Sequence, residues 1–390
     1  MNYNFNEIID RKNTNCIKYD FPERYNAPTD ALPMWVADMD FRVPSEIRDA
    51  LQKVTTHGIF GYSDTTEDYF KSVYNWFNNG FGYKPEPDWL VKTPGVVFAV
   101  AMAIKAYTKE GDGVLIQKPA YYPFENTVRK NNRIVVENSL VYDDNKYTIN
   151  FDDFEDKIRN NNVRLFILCS PHNPVMRVWT KDELYKMGDI CKKYGVIVLS
   201  DEIHCDFVFT GKHIFFTDVD PSFAEFSLIT TAPTKTFNLS GLQVSNNFIP
   251  NVYLRHKFKD EIDKSGYHQL GIMGLTACQA AYTYGGEWHK QLIEHLKENI
   301  KFVQEFLETK MPHITMPAAE ATFLMWLNFS ALGMPQNELD SRIKKEGKVW
   351  LHSGTTFGKE GEGFMRMNIG CPLPILVQAM EGIYNALGTF

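Results

Sequence analysis

Five short apolar runs recur between residues 114 and 231: VLIQ (114–117), RIVV (133–136), RLFILCS (164–170), VIVLS (196–200) and SLITT (227–231). None alternates with polar residues, which is how strands buried on both faces of a parallel sheet read. Between two of them, TKDELYKMGDICKKYG (180–195) carries helix punctuation: Thr180 as N-cap, Glu183 three residues on, and Gly195 at the stop. Strand, helix and strand at roughly 30-residue intervals make βαβ units. Their repetition predicts an α/β fold with a mostly parallel sheet sandwiched by helices.

From residue 288 the pattern changes. Leu292, Leu296, Ile300, Val303 and Leu307 fall at helical spacing in a segment that ends near Met311–Pro312. Beyond it, FLMWLNF (323–329), VWLHS (349–353) and FMRMNI (364–369) read as strands with helices between them. That predicts a smaller α+β domain. The first 45 residues are polar and proline-containing, too few to make a domain alone, and are expected to dock on this later part. The predicted organisation is a large domain over 46–287 and a small one from 1–45 and 288–390.

Composition removes several classes of function. A net charge of -7 lacks the basic footprint of a nucleic-acid partner. The longest apolar run, Val96 to Ile104, is too short to cross a bilayer, and the N-terminal stretch has no apolar signal core. Six cysteines are scattered without CxxC pairs or metal-ligand spacing, so they read as reduced thiols. The expectation is a soluble cytoplasmic protein with no metal, no membrane and no nucleic acid.

In open α/β sheets, ligands bind beyond the carboxyl ends of the strands. Three apolar runs here lead into a polar residue: Asn173 in SPHNP, Asp201 in LSDEIH, and Lys235 beyond SLITT. Gly95, in KTPGVVFAVAMAI, opens a long apolar helix whose first N–H groups would hold a phosphate. Each has an ordinary alternative. Asp201 could cap a turn, Asn173 before Pro174 could be a turn residue, Pro94–Gly95 could be a plain loop-to-helix junction, and Lys235 could be solvated. An α/β sheet would nevertheless gather all four at one edge.

Further stretches join these in order: PMWVADMDF (33–41), GYS (61–63), TPGVVFAV (93–100), KPAYYPF (118–124), PHNPVMRVW (171–179), SDEIHCD (200–206), PTKTFNLSGLQVSN (233–246) and FMRMNIGCP (364–372). From about residue 30 to 380 the chain resembles the fold-type I pyridoxal-phosphate enzymes. Within the class I/II aminotransferase family it is most similar to the C–S lyase branch (cystathionine beta-lyase, PatB/MalY-like). The resemblance implies pyridoxal 5'-phosphate as cofactor, a seven-stranded-type sheet in the large domain, and a homodimer with shared active sites. By the same resemblance, Lys235 would form the Schiff base, Asp201 would pair with the pyridine nitrogen, and Asn173 would bond the ring hydroxyl. Tyr121 would stack on the ring. The backbone of Gly95, Val96 and Val97 would hold the phosphate with the Thr234 hydroxyl, and Tyr62 would reach it from the second subunit. Arg366 would clamp the substrate α-carboxylate, with Ala37, Asn173 and Tyr62 near the substrate.

Two positions separate the branches. Aminotransferases of this superfamily usually carry Asp-x-x-Tyr, whereas this chain has Asp201-Glu202-Ile203-His204, which puts His204 among the cofactor-binding residues. Many relatives have arginine eight positions beyond the Schiff-base lysine; here Gln243 stands there. Both positions resemble the lyase branch, and that resemblance implies a lyase cleaving cystathionine or related cysteine thioethers to a thiol, pyruvate and ammonia. An aminotransferase acting on an L-amino acid and a 2-oxo acid is the alternative, and a regulatory protein partner would be a second role. One departure runs the other way: Met176 replaces the glycine of the branch's HNPxGR pattern, and a turn requiring positive φ would strain it by about 1 kcal/mol.

Overall fold

The structure, a computed structural model, describes residues 2–388. Seven strands form the main sheet: β1 (Leu90–Thr93), β2 (Gly113–Lys118), β3 (Ile134–Ser139), β4 (Val163–Cys169), β5 (Ile197–Asp201), β6 (Ser227–Thr231) and β7 (Ser245–Phe248). Their order across the sheet is β1-β7-β6-β5-β4-β2-β3. Only β7 runs against its neighbours; the other strands are mutually parallel. All five apolar runs read as strands are strands. The run at 133–136 is longer than its apolar part, because β3 lies at the sheet edge and continues through polar Glu137 to Ser139.

Burial on both faces explains the unbroken apolar runs. Along β4, Phe166 and Leu168 join one core while Leu165 and Ile167 join the other. Helix α1 (Val96–Tyr107) covers the second face, burying Val96, Ala99, Val100, Met102, Ala103, Ile104 and Tyr107. A fully buried aliphatic side chain contributes about 1.5–3 kcal/mol, so this helix is held by its packing. Helix α2 (Lys181–Tyr194) starts with the expected capping box between Thr180 and Glu183 and ends at Gly195 in the left-handed region.

Strand β7, Ser-Asn-Asn-Phe, has Phe248 as its single apolar residue and so gives hydrophobic patterning no run to detect. Its polar side chains are buried, and of their polar atoms all but Asn247 Oδ1 have partners. Asn246 Oδ1 accepts from the Tyr69 hydroxyl at 2.8 Å, and Asn247 Nδ2 donates to the Val91 carbonyl at 2.7 Å. Ser245 meets Thr93 at 2.6 Å, hydroxyl to hydroxyl. Buried polar groups with partners are tolerated where orphaned ones are not.

Helix α3 (Gly286–Lys310) is followed by a three-stranded antiparallel sheet of β8 (Leu324–Asn328), β9 (His352–Ser353) and β10 (Phe364–Asn368), with β10 in the centre. Helix α4 (Leu373–Leu387) closes the chain. The single strand expected over 349–353 is two. Val349–Trp350 pairs in parallel with Leu32–Pro33, and His352–Ser353 pairs with β10. The split follows from competition for partners: the N-terminal segment takes the first half and the C-terminal sheet the second. Among the described residues no helix is long and apolar enough to cross a membrane.

Candidate active site

Strands β6, β5 and β4 are adjacent and parallel, so their carboxyl ends open on one edge. Lys235 follows β6, Asp201 ends β5, and Asn173 follows β4. A cavity at that edge is lined by Ala37, Val96, Val97, Tyr121, Cys169, Asn173, Asp201, Ile203, His204 and Lys235. Eight of these were named from sequence; Cys169 and Ile203 were missed, and as plain apolar core letters they carry no signal. A second, wider cleft on the helical side, reaching His213 and His289, contains none of the predicted site residues.

Lys235 sits on a single turn, Pro233–Thr236, too short to bury it by itself. The N-terminal segment covers it: the Ala37 carbonyl accepts from Nζ at 2.7 Å. Burial lowers the ammonium pKa to about 8, with Arg366 adding to the fall and the Asp38 and Asp201 charges opposing it. A lysine amine in that range is available as base and nucleophile near neutral pH. The covering segment is pinned from below. Arg11 donates to Asp38 at 2.8 Å and to Asp40 at 2.6 Å, and buried Lys18 reaches Asp40 at 2.7 Å. Burial alone would raise the Asp38 carboxyl, but the Arg11 hydrogen bond and the Lys18, Arg11 and Lys235 charges hold it below its ordinary value. Sequence reasoning missed this support, whose residues lie up to 29 positions apart.

Asp201 is buried, with the Ile203 N–H at 3.2 Å as a partner. Burial raises its pKa to about 7, with the Glu202 charge adding to this and the Ile203 bond and Lys235 opposing. A carboxyl so poorly compensated would regain its charge beside a cationic N–H. His204 is buried, and its Nδ1 has no partner. Burial, with Lys235 and Arg366, takes it to about 3, so the ring is neutral. Asn173 Oδ1 accepts from Arg366 Nη1 at 3.1 Å, which leaves its Nδ2 donor available. Tyr121 lines the cavity half-buried, its phenol raised to about 12 by burial and by neighbouring Tyr122.

Gly95 caps α1 at φ 100°, outside the range of other residues, and a Cβ there would face open space. The first N–H groups of α1, from Val96 and Val97, therefore lack helical acceptors at the cavity wall. Thr234 is buried beside Lys235 but does not line the cavity. Tyr62 is not brought into the site: its side chain is 100% exposed, on a segment without regular secondary structure that also exposes Ile59 and Phe60. Met176 does adopt a positive φ, 65°, and is fully buried. Its Sδ accepts from the Trp326 N–H at 3.3 Å and its carbonyl from Ala321 at 3.1 Å. The turn after Asn173 is thus stitched to β8.

Arg366, in the centre strand β10, is buried and lies against the Phe357 ring at 4.6 Å. No carboxylate pairs with it among the described residues, and its Nε has no partner. Burial lowers its pKa to about 10, with Tyr121 and Tyr122 opposing, so the guanidinium keeps its charge at neutral pH. A buried cation without an anion is costly unless a ligand completes it.

The donor set fits pyridoxal phosphate. A buried carboxyl lacks a cation, a neutral imidazole and an amide have spare groups, a lysine is deprotonated easily, and helix N–H groups line one wall. An α/β sheet with this constellation defines a family, and the chain belongs to it: the aminotransferase class I and II family matches residues 31–383. The relatives are more particular. Over 385 residues the chain is 43% identical to cystathionine beta-lyase PatB of Bacillus subtilis (strain 168), covering 98% of this chain and 100% of that one. It is 31% identical to Protein MalY of Escherichia coli (strain K12), covering 99% of each. Among solved structures, cystalysin from Treponema denticola, which contains a pyridoxal 5'-phosphate cofactor, superposes with a TM-score of 0.95. The two are 35% identical and cover 99% of each other.

Proposed function

We propose that this protein is a pyridoxal-phosphate-dependent carbon–sulfur β-lyase that cleaves cystathionine or related cysteine thioethers. The observation that carries the reading is the meeting, in one cavity, of an easily deprotonated Lys235 with buried Asp201, beside a buried Arg366 that has no anion. The names of the relatives support it. Asn173, Asp201, His204, Tyr121, Lys235 and Thr234, with the N–H groups after Gly95, are the residues that would hold the cofactor. Bound there, pyridoxal phosphate supplies an aldehyde for the substrate amine and a ring that accepts electron density from Cα. Arg366 binds the α-carboxylate through its planar fork. Lys235 Nζ takes the Cα proton. The Cβ–S bond then breaks, and the same nitrogen returns a proton to the departing sulfur. With one water, the three-carbon remainder becomes pyruvate and ammonia.

His204 supports the lyase reading over transamination, since an aminotransferase would be expected to carry tyrosine there. The test is pyruvate release from cystathionine, cystine and S-alkyl cysteines without any added oxo acid. Consumption of amino acid only when a 2-oxo acid is present would favour an aminotransferase instead. We further propose a homodimer, in which exposed Ile59, Phe60 and Tyr62 pack on the second copy and Tyr62 reaches its cofactor phosphate. The division into a large domain (46–287) and a small one (1–45 with 288–390) is proposed with it. A cytoplasmic location is proposed on the unpaired state of all six cysteines, five of them buried.

A further inference from the structure

Among the described residues, every acceptor that meets the Arg366 guanidinium is neutral. Nη1 donates to Asn173 Oδ1, and Nη2 donates to both the Trp35 carbonyl at 3.1 Å and His352 Nδ1 at 3.2 Å. His352 stands directly opposite Arg366 in the β9–β10 pair, so the contact is built into the register of the sheet. Arginine has no lone pair to offer, which fixes the imidazole: Nδ1 is the acceptor and Nε2 carries the proton. Burial, together with the Arg366 and Lys344 charges and against the Trp35 backbone contact, lowers the His352 pKa to about 3, so the ring is neutral across the working range. The ring is held in turn by Phe357, with centroids 5.0 Å apart, and by Trp35 and Tyr122, each at 5.9 Å.

We infer that His352 is a positioning residue that fixes the plane of Arg366 without discharging it, and so makes the site demand a carboxylate on its ligand. A carboxylate at this position would orient the guanidinium equally well but would also neutralise it, competing with the substrate. An apolar residue would leave the charge but remove one of the three acceptors that hold the fork, loosening it at Nη2. Only a neutral acceptor does both. The inference rests on the reading of Arg366 as the α-carboxylate clamp.

The test uses the holoenzyme and two probes: L-alanine, which has no β leaving group, and L-alaninol, the same amine without the carboxylate. Binding is followed by spectral titration, and KM and kcat are measured with cystathionine. His352→Leu is expected to weaken L-alanine by about tenfold or more, the size of a hydrogen bond to a charged group, with L-alaninol unchanged and KM moving rather than kcat. His352→Asn places an amide oxygen near the Nδ1 position and should restore most of the loss. His352→Asp supplies an acceptor yet should bind L-alanine more weakly than His352→Asn, because its charge competes. Equal losses for both probes, or an aspartate variant as good as asparagine, would overturn the inference. If the leucine variant does not fold, the asparagine–aspartate comparison decides alone. Arg366→Lys separates the two readings: unchanged L-alanine affinity there defeats the clamp itself, whereas loss there with a flat His352 series defeats only the positioning role.

Discussion

Met176 sets backbone strain against side-chain burial, and the structure gives enough to say which wins. The residue sits at φ 65°, where a non-glycine residue costs about 1–2 kcal/mol, so Met176→Gly relieves that strain. Against this, the methionine is fully buried in the main core, and truncating such a side chain costs about 2–5 kcal/mol. The Trp326 N–H, on an edge strand, also loses its sulfur acceptor, at about 1 kcal/mol for so weak a partner. The balance is a destabilisation of about 3 kcal/mol, smaller only if the cavity collapses. Unfolding entropy of about 2 cal/mol/K per residue makes 1 kcal/mol worth little more than 1 °C in a chain of 390 residues. A fall of about 4 °C in the melting temperature of the cofactor-free protein is therefore expected by calorimetry. Met176→Leu, which keeps the volume, should lose less than half as much. A glycine variant that melts at or above the parent would show that strain dominates and that the stitch to β8 contributes nothing.

Other expectations follow from single features of the structure. Thr180→Ala removes one side of the capping box and should cost about 1 kcal/mol of stability, read by denaturant titration; no change would mean that Glu183 and Arg177 hold the helix start alone. Gly95→Ala meets open space but not a permitted φ, so the protein should fold, with cofactor affinity reduced at least tenfold by the shifted helix start. Parent-like affinity would remove Gly95 from the cofactor site. The Lys235 amine is free above its pKa and protonated below it. Its reaction with pyridoxal in the cofactor-free protein should therefore rise with pH through about 8. A midpoint near that of ordinary lysines, about 10.4, would contradict the buried environment described for it.

The parts of this fold legible in the sequence were those where burial leaves a one-residue signature. β4 is apolar along nearly its whole length, and β2, β5 and β6 each carry an apolar run, because both faces are covered; Thr180, Glu183 and Gly195 mark α2 by their chemistry. β7 was illegible because Ser245, Asn246 and Asn247 are buried through side-chain partners on Tyr69, Val91 and Thr93, a relation between distant segments. The site was legible where a polar residue directly ends an apolar run, as Asp201 does. Assigning a role to Ala37 or Tyr62 needed the family resemblance. His352 was hidden inside what read as one strand, and its neutral tautomer becomes visible only beside Arg366. Arg11, Asp38 and Lys18 gave no local sign that they brace the cover over Lys235.

Breaking a carbon–sulfur bond by elimination is what distinguishes the proposed activity of this site from transamination. The most direct measurement is pyruvate and thiol release by purified holoenzyme given cystathionine as the sole substrate. Pyruvate and homocysteine are expected in equal amounts without any oxo acid, and neither from Lys235→Ala. Turnover that begins only when a 2-oxo acid is added, converting it to an amino acid without releasing thiol, would contradict that activity.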